Sequence, residues 1–463
     1  MHPDSANAPR SFRTRTVRLA RVAAVLAVGG TIAALALAGP LDPPAGPVTS
    51  TYKTLGEIMP EIAINAANTP GDATCKFKIT QPGSYYLPGN MLGDTGTHEI
   101  KIALGPSGGH VSIDMRGFTL RGVPGSLNGI HVADGQTLTS CSISGGGQID
   151  AWGGYGIYTC GMVGSGIVDT KIRSAGLGCV KVVAGGGGTI TIESCSMRST
   201  SGMGLITEVG LPLMIRNSVI EGDGCNTTSL ISLGGDTTIE GLTVRARDSI
   251  FSAPVIAVST GAACTGREMR VYMSSCTAPS SLRIGPGSGG AAVSELDFNL
   301  IGSVFSTAVF EHMRDGMLFR NVRVRADATT TSPVMLRLAA NNSYFYDPDL
   351  GEFVVGIPIA VDVIGSNNTI SGGSMRTAGT GIRLAGASNT VTGCRIFGSG
   401  ASSIIGVLIS LGSTNNLVTK NEFVSVGGGG AVNNLGGSSN GVAPIVTPGN
   451  IGSATNPFSN IQH

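Results

Sequence analysis

Ile239-Glu240-Gly241-Leu242-Thr243-Val244 is the stretch that decides how this chain folds. It runs apolar, two free positions, a small or apolar residue, a polar residue, then a closing apolar residue. The same template appears as Ile215-x-x-Ser218-x-Ile220, Phe319-x-x-Val322-x-Val324 and Val391-x-x-Cys394-x-Ile396. Its closing residue falls at Leu120, Ile143, Ile172, Met197, Ile220, Val244, Met273, Phe298, Val324, Met375, Ile396 and Phe423. The steps are 21 to 29 residues long, except for one of 51 between Val324 and Met375. Within each copy the alternation has a period of two, as in a strand that buries one face. A second short strand, often opened by glycine, lies between closings, as in Gly204-Leu205-Ile206 and Gly381-Ile382-Arg383-Leu384. Helical periodicity is nearly absent, and a WD40-type propeller blade needs ~40 residues, too many for this repeat. The pattern predicts an all-β chain: a right-handed parallel β-helix solenoid of about 12–14 coils, in which each coil pairs with the coils above and below.

Stacking makes further readings possible. Asn368, Asn389 and Asn416 each precede their closing residue by seven positions, so they should form an asparagine ladder with amides bonded to each other. Cys141, Cys195 and Cys394 occupy the small inward position and read as buried packing groups, whereas Cys225, Cys264 and Cys276 flank loops where bridges are feasible. Thr54-x-x-Glu57 is a capping box, which predicts a short amphipathic helix near 55–67, confined by Pro60, that caps the first coil. The residues divide into 1–38, 39–110 with the capping helix and first strands, the β-helix over 111–426, and a Gly/Asn/Ser-rich tail or cap over 427–463.

The first 38 residues read as a signal peptide, with a retained membrane anchor as the alternative. Arg10, Arg13, Arg15, Arg18 and Arg21 precede the apolar run Val22 to Ala38, which ends in Ala36-Leu37-Ala38, a small-x-small cleavage pattern. The expectation is an exported protein, extracellular, at the cell surface or periplasmic, with no membrane insertion once the signal is removed. The nine cysteines are compatible with an oxidising compartment. Glycine is 71 of 463 residues without a Gly-X-Y period, which excludes collagen. Charged residues are 13% against 41% hydrophobic, which argues against disorder. A net charge of +1 offers no bulk attraction to nucleic acid, and none is expected as a partner.

The stretches Ile79-Thr80-Gln81-Pro82-Gly83-Ser84-Tyr85-Tyr86-Leu87, Ile113-Asp114-Met115-Arg116-Gly117-Phe118-Thr119-Leu120 and Gly122-Val123-Pro124-Gly125-Ser126 carry a resemblance. So do Pro40-Leu41-Asp42-Pro43-Pro44-Ala45-Gly46-Pro47 and Asn456-Pro457-Phe458. With these the chain resembles secreted bacterial right-handed β-helix proteins broadly related to the pectate-lyase-like superfamily, over nearly all of residues 39–463. The resemblance implies the fold and leaves the activity open, because one fold hosts many functions. Polygalacturonase motifs of the form Asn-Thr-Asp, Asp-Asp, Gly-His-Gly and Arg-Ile-Lys do not occur; the nearest fragments are Gly109-His110-Val111 and Lys171-Ile172-Arg173. No acidic run suits a pectate-lyase calcium site.

The position after each closing residue points outward, and six of twelve such positions are arginine: Arg121, Arg173, Arg198, Arg245, Arg325 and Arg376. Arg173, Arg198, Glu221 and Arg245 should form a row on consecutive coils ~4.8 Å apart. Guanidinium forks match carboxylate and sulfate geometry, although such a row also serves simply as a solvated face. The 51-residue step holds Tyr344-Phe345-Tyr346-Asp347-Pro348-Asp349. Tyr344 and Tyr346 read either as a sugar-stacking surface or as an inserted loop packing its own aromatics, and Asp347-x-Asp349-x-Gly351 is only a fragment of a calcium loop. Trp152 lies about seven coils away, roughly 34 Å, too far to share a centre with Tyr346. His98, His110 and His131 cluster near the first coils without a matching acid. The expected function is binding of an extracellular or cell-envelope polysaccharide without catalysis, with no cofactor and no metal. The alternatives are a polysaccharide lyase or hydrolase with an unfamiliar site, and a structural surface protein.

Overall fold

The structure is a computed structural model that describes residues 61–463, apart from 106–107, 134–137, 161–163, 175, 184–187, 289–290, 352–356, 400–402 and 448–455. The described chain is an all-β parallel solenoid of about 14 turns. The template stretch shows how one turn is made. Strand Leu213–Arg216 runs to Asn217, whose backbone is left-handed (φ 45°), and strand Val219–Asp223 leaves at an angle. The free position before the small residue is this corner. It is held by Gly241 (φ 74°), Asn321 (φ 55°) and Gly393 (φ 68°) in the other quoted copies, residue types that tolerate the left-handed region. Both legs of each corner join a 28-stranded sheet, and the second strand of each coil joins a 16-stranded sheet that is parallel apart from the antiparallel pair Pro70–Asp72 and Cys75–Ile79 at its start. Four coils add a short four-stranded sheet between them.

Register between coils fixes which residues stack. One inward row runs Met91, Leu120, Ile149, Ile172, Met197, Ile220, Val244, Val271, Phe298, Val324, Leu350, Met375, Ile396 and Phe423. Ten of the twelve closing residues read from the sequence lie in it. Ile143 and Met273 do not; their places belong to Ile149 and Val271. After Ile143 the corner carries extra glycine, with Gly145 (φ 98°) and Gly146 (φ 70°) both left-handed. Before Val271 the corner is Glu268 (φ 57°), a residue type that does not announce such a conformation. The 51-residue step is two ordinary coils: Tyr344–Tyr346 and Asp349–Gly351 are the two legs around left-handed Asp347 (φ 51°), and Leu350 is the missing row member. The aromatic stretch is therefore a coil and not an inserted loop.

The core is continuous along the axis. Phe298, Phe310, Phe319 and Phe345 stack through it, with ring centroids 4.4 Å apart for Phe319 and Phe345. Trp152 is wholly buried, its indole N–H donating to the Leu120 carbonyl at 3.2 Å, so it offers no surface to a ligand. Its ring lies so close to Gly93 that a side chain there would collide with it.

The asparagine ladder exists; side-chain amides bond to each other at one rung, Asn416 Nδ2 donating to Asn440 Oδ1 at 3.1 Å, and the other rungs show a different pattern. Each backbone N–H of Asn368, Asn389 and Asn416 donates at 2.9 Å to the Oδ1 of the next rung, Asn389, Asn416 and Asn440. The side-chain amides of Asn368 and Asn389 donate back to the Ala340 and Gly365 carbonyls. The ladder thus satisfies buried turn backbone that no sheet partner reaches. All nine cysteines are buried, and the loop-flanking Cys225, Cys264 and Cys276 carry free thiols and form no bridge. Residues 61–67 form strand Glu61–Ala63 and a turn instead of the second half of a capping helix; residues 55–60 and the signal segment lie outside the described residues. Beyond Val426 the chain continues to pair: strands Val432–Asn434, Gly441–Val442 and Asn460–Gln462 lie on the preceding coil, and Asn460 extends a second ladder through Asn421.

Candidate functional site

Strands Thr237–Arg247, Cys264–Ser274 and Ala292–Ile301 are unusually long, because the two legs pair with neighbouring coils right up to the corner residue on either side, Gly241, Glu268 and Glu295 themselves being skipped. Their C-terminal halves, with Val219–Asp223 beside them, form a flat ladder whose alternate side chains face outward. The outward row reads Arg121, Asp150, Arg173, Arg198, Glu221, Arg245, Tyr272, Asn299, Arg325. Asp150 and Tyr272 replace the serines 144 and 274 expected from the sequence, a direct result of the two register corrections. The row therefore has an acid between Arg121 and Arg173, and an exposed aromatic ring beside Arg245.

A cleft of about 440 Å³ opens over this row, lined by Arg198, Glu221, Asp223, Arg245, Arg247, Tyr272, Asn299 and Ile301 among others. Arg198 Nη2 lies 2.6 Å from Asp223 Oδ2, and Arg245 Nη1 lies 2.9 Å from Glu221 Oε1. All four side chains are 30% exposed or more, so each pair contributes at most about 1 kcal/mol to stability. Their larger effect is to hold two guanidinium planes in fixed orientation over the cleft. Tyr272 (40% exposed) and Ile301 (54% exposed) supply apolar surface at the other side. Donors, acceptors and an aromatic ring thus converge from consecutive coils, an arrangement suited to a polyhydroxylated ligand.

Of the residues singled out from the sequence, Arg198, Glu221 and Arg245 line this cleft, and Arg173 stands one coil outside it. Tyr344 and Tyr346 belong to the leg before the corner. There their rings lie parallel at 6.4 Å, with Arg320 over Tyr346. Asp223, Arg247, Tyr272 and Asn299 were not selected from the sequence. Asp223 and Arg247 lie two positions beyond the row residues Glu221 and Arg245, on the same face, which period-two counting would have found.

A second cleft, of about 470 Å³, lies at the corner of the next coils and is lined by Glu268, Glu295, Asp297, Asp347 and Asp349 with Arg270 and Arg323. Arg323 binds Asp349 at 3.1 Å. Among the described residues no three His, Cys, Asp or Glu side chains converge as metal ligands.

The most perturbed ionisable groups lie away from both clefts. Burial pushes the Glu99 carboxyl up to about 7; the side chain is wholly buried and neither oxygen has a hydrogen-bond partner among the described residues. Burial, with the neighbouring His131 and Lys101, lowers His98 to about 4, and its ring stacks on His131 at 4.1 Å. His312, in the aromatic core against Phe319, is lowered to about 3 by burial. His110 stands apart from that stack, against Ser140.

No family model and no curated relative matches the chain. Among solved structures, the chain is similar to the tailspike protein of E. coli bacteriophage HK620. One match is a double mutant, covering 82% of this chain and 72% of that chain at 10% identity, with a TM-score of 0.27. Another is a mutant in complex with a pentasaccharide, with the same coverage, identity and TM-score. Superposition this shallow carries no functional inference.

Proposed function

We propose that this is an exported protein, of the secreted β-helix group it resembles, that binds an extracellular or cell-envelope polysaccharide along the outward row without cleaving it. The observation that carries the reading is the 440 Å³ cleft, in which two oriented guanidiniums, two carboxylates, the Asn299 amide and the Tyr272 ring face one space. Sugars present hydroxyl donors and acceptors around apolar ring faces, and this lining complements both. The row continues on coils either side of the cleft, which suits a chain-like ligand. Glu221 and Asp223 are both engaged by arginine, and that favours recognition over acid–base work.

The test is a polysaccharide array with the purified chain, followed by titration of each hit and assay of released products. Tyr272→Ala with Arg245→Ala is expected to lower affinity at least about tenfold, a magnitude appropriate to one aromatic contact plus one charge-assisted hydrogen bond. Unchanged affinity would remove the cleft from consideration. Product release on any hit would replace binding with catalysis, and silence across the array would favour a structural role.

A further inference from the structure

We propose that the cleft takes a glycan bearing an anionic substituent, and that Arg247 is the residue that receives it. This rests on the polysaccharide reading and specifies its ligand class. The argument starts from register. Glu221 stands between Arg198 and Arg245 in one outward row, and Asp223 stands opposite Arg247 in the next. If each acid paired within its own row, Asp223 would hold Arg247. Instead Asp223 reaches diagonally to Arg198, and Glu221 turns to Arg245. The zigzag uses both carboxylates on two arginines and leaves the third. Arg247 is exposed, lines the cleft, and makes no ion pair among the described residues. Its other register neighbour is Ser274, a neutral hydroxyl that also lines the cleft.

The cleft thus holds three guanidiniums against two carboxylates, with the excess charge at Arg247. A guanidinium is always charged and presents a planar fork that fits a carboxylate or sulfate through two parallel bonds. Arg198 and Arg245 keep donors for hydroxyls but have their charge matched. A neutral glycan would leave the Arg247 charge unmatched, and an anionic one completes it. Tyr272 lies on the next coil and Ile301 on the one after it, and both line the same cleft, where a ring face of the ligand can meet them. Carboxylate and sulfate share this chemistry, and the experiment separates them.

Equilibrium titrations use two matched pairs on the full chain: polygalacturonate against its carboxyl-reduced form, and dextran sulfate against dextran. The expected result is tighter binding of the charged member of one pair, which names carboxylate or sulfate. Arg247→Ala should lose about tenfold on that charged polymer and nothing on its neutral counterpart, and Arg247→Lys should recover part of the loss because it restores a point charge without the fork. Arg267→Ala, a paired arginine outside the cleft, serves as the control. Equal binding of charged and neutral members by the native chain, or full affinity in Arg247→Ala, overturns the inference while leaving polysaccharide binding standing. No binding to either pair, charged or neutral, overturns both.

Discussion

Replacing Glu99 by glutamine should remove a pH-dependent weakness at the N-terminal end of the solenoid. Glu99 lies in strand His98–Ile102, fully buried, with both carboxylate oxygens unpartnered among the described residues. The nearby cation, Lys76, is occupied by the Leu92 carbonyl at 2.6 Å and by Asp94 at 3.4 Å. Burial raises the carboxyl from 4.5 to about 7. The folded chain therefore holds this proton more tightly than the unfolded chain, so the associated stability is complete below pH 4.5 and lost as pH rises to about 7. At about 1.4 kcal/mol for each pH unit, the loss is about 3 kcal/mol. His98 and His312 act in the opposite sense: lowered to about 4 and about 3, they destabilise the fold as pH falls below 6.5. The native pH profile mixes these contributions, whereas the difference between the native chain and Glu99→Gln isolates the carboxylate, because both bury an uncompensated polar group of the same shape. Coils contact only their neighbours, so the assay is local: amide hydrogen exchange of residues 98–102 at pH 5 and pH 8, corrected for intrinsic rates. Glu99→Gln should match the native chain within about 1 kcal/mol at pH 5 and be more protected by about 3 kcal/mol at pH 8. An identical difference at both pH values would refute the reasoning and mean that the carboxylate has a partner.

Three other outcomes are expected. Asn389→Ala orphans the Asn368 N–H and the Gly365 carbonyl in a buried turn and should cost about 2 kcal/mol in urea denaturation; a cost under about 0.5 kcal/mol would show that the ladder is replaceable by water. Asp362 is wholly buried in the ladder Arg283, Glu311, Arg337, Asp362, Arg383, where Arg383 binds it through two nitrogens at 2.7 and 2.8 Å. Asp362→Ala should destabilise by about 2–3 kcal/mol, less than a fully buried pair because Arg383 is part-exposed, and the cost should persist in 1 M salt. Burial pushes the thiols of Cys141, Cys264 and Cys394 up to about 12, and a thiol reagent needs the thiolate. At pH 8 the native chain should react slowly at every cysteine and the denatured chain at nine; fewer than nine would reveal a disulfide.

The repeat was legible because a solenoid is held together by neighbours at a fixed sequence interval, so its periodicity survives in one dimension. Apolar alternation around Leu242 and Val244, asparagines at a constant offset, and small residues at Cys195 and Cys394 each report a local environment that every coil repeats. Where that local chemistry was atypical, the reading slipped. Glu268 and Asp347 take the left-handed corner with no Gly or Asn to mark it; Asp169, Ser194, Glu295 and Lys420 do the same, but their coils were still placed by the apolar alternation. Extra glycines lengthened the corner after Ile143, and in all two closing residues were displaced and one coil was mistaken for a loop.

The cleft shows the boundary between the two kinds of information. Period-two counting alone determined that Arg198, Glu221 and Arg245 face outward in one row, because alternation is a property of the strand itself. Which acid meets which arginine was decided only in three dimensions. Asp223 and Arg198 are 25 residues apart and meet because stacking brings the coils within side-chain reach. A two-residue shift in register exchanged Ser274 for Tyr272 in the row, and with it a hydroxyl for an aromatic ring. Strand period is intrinsic to the backbone, but pairing between coils is settled by the corner geometry of every turn, and the site is assembled from that pairing.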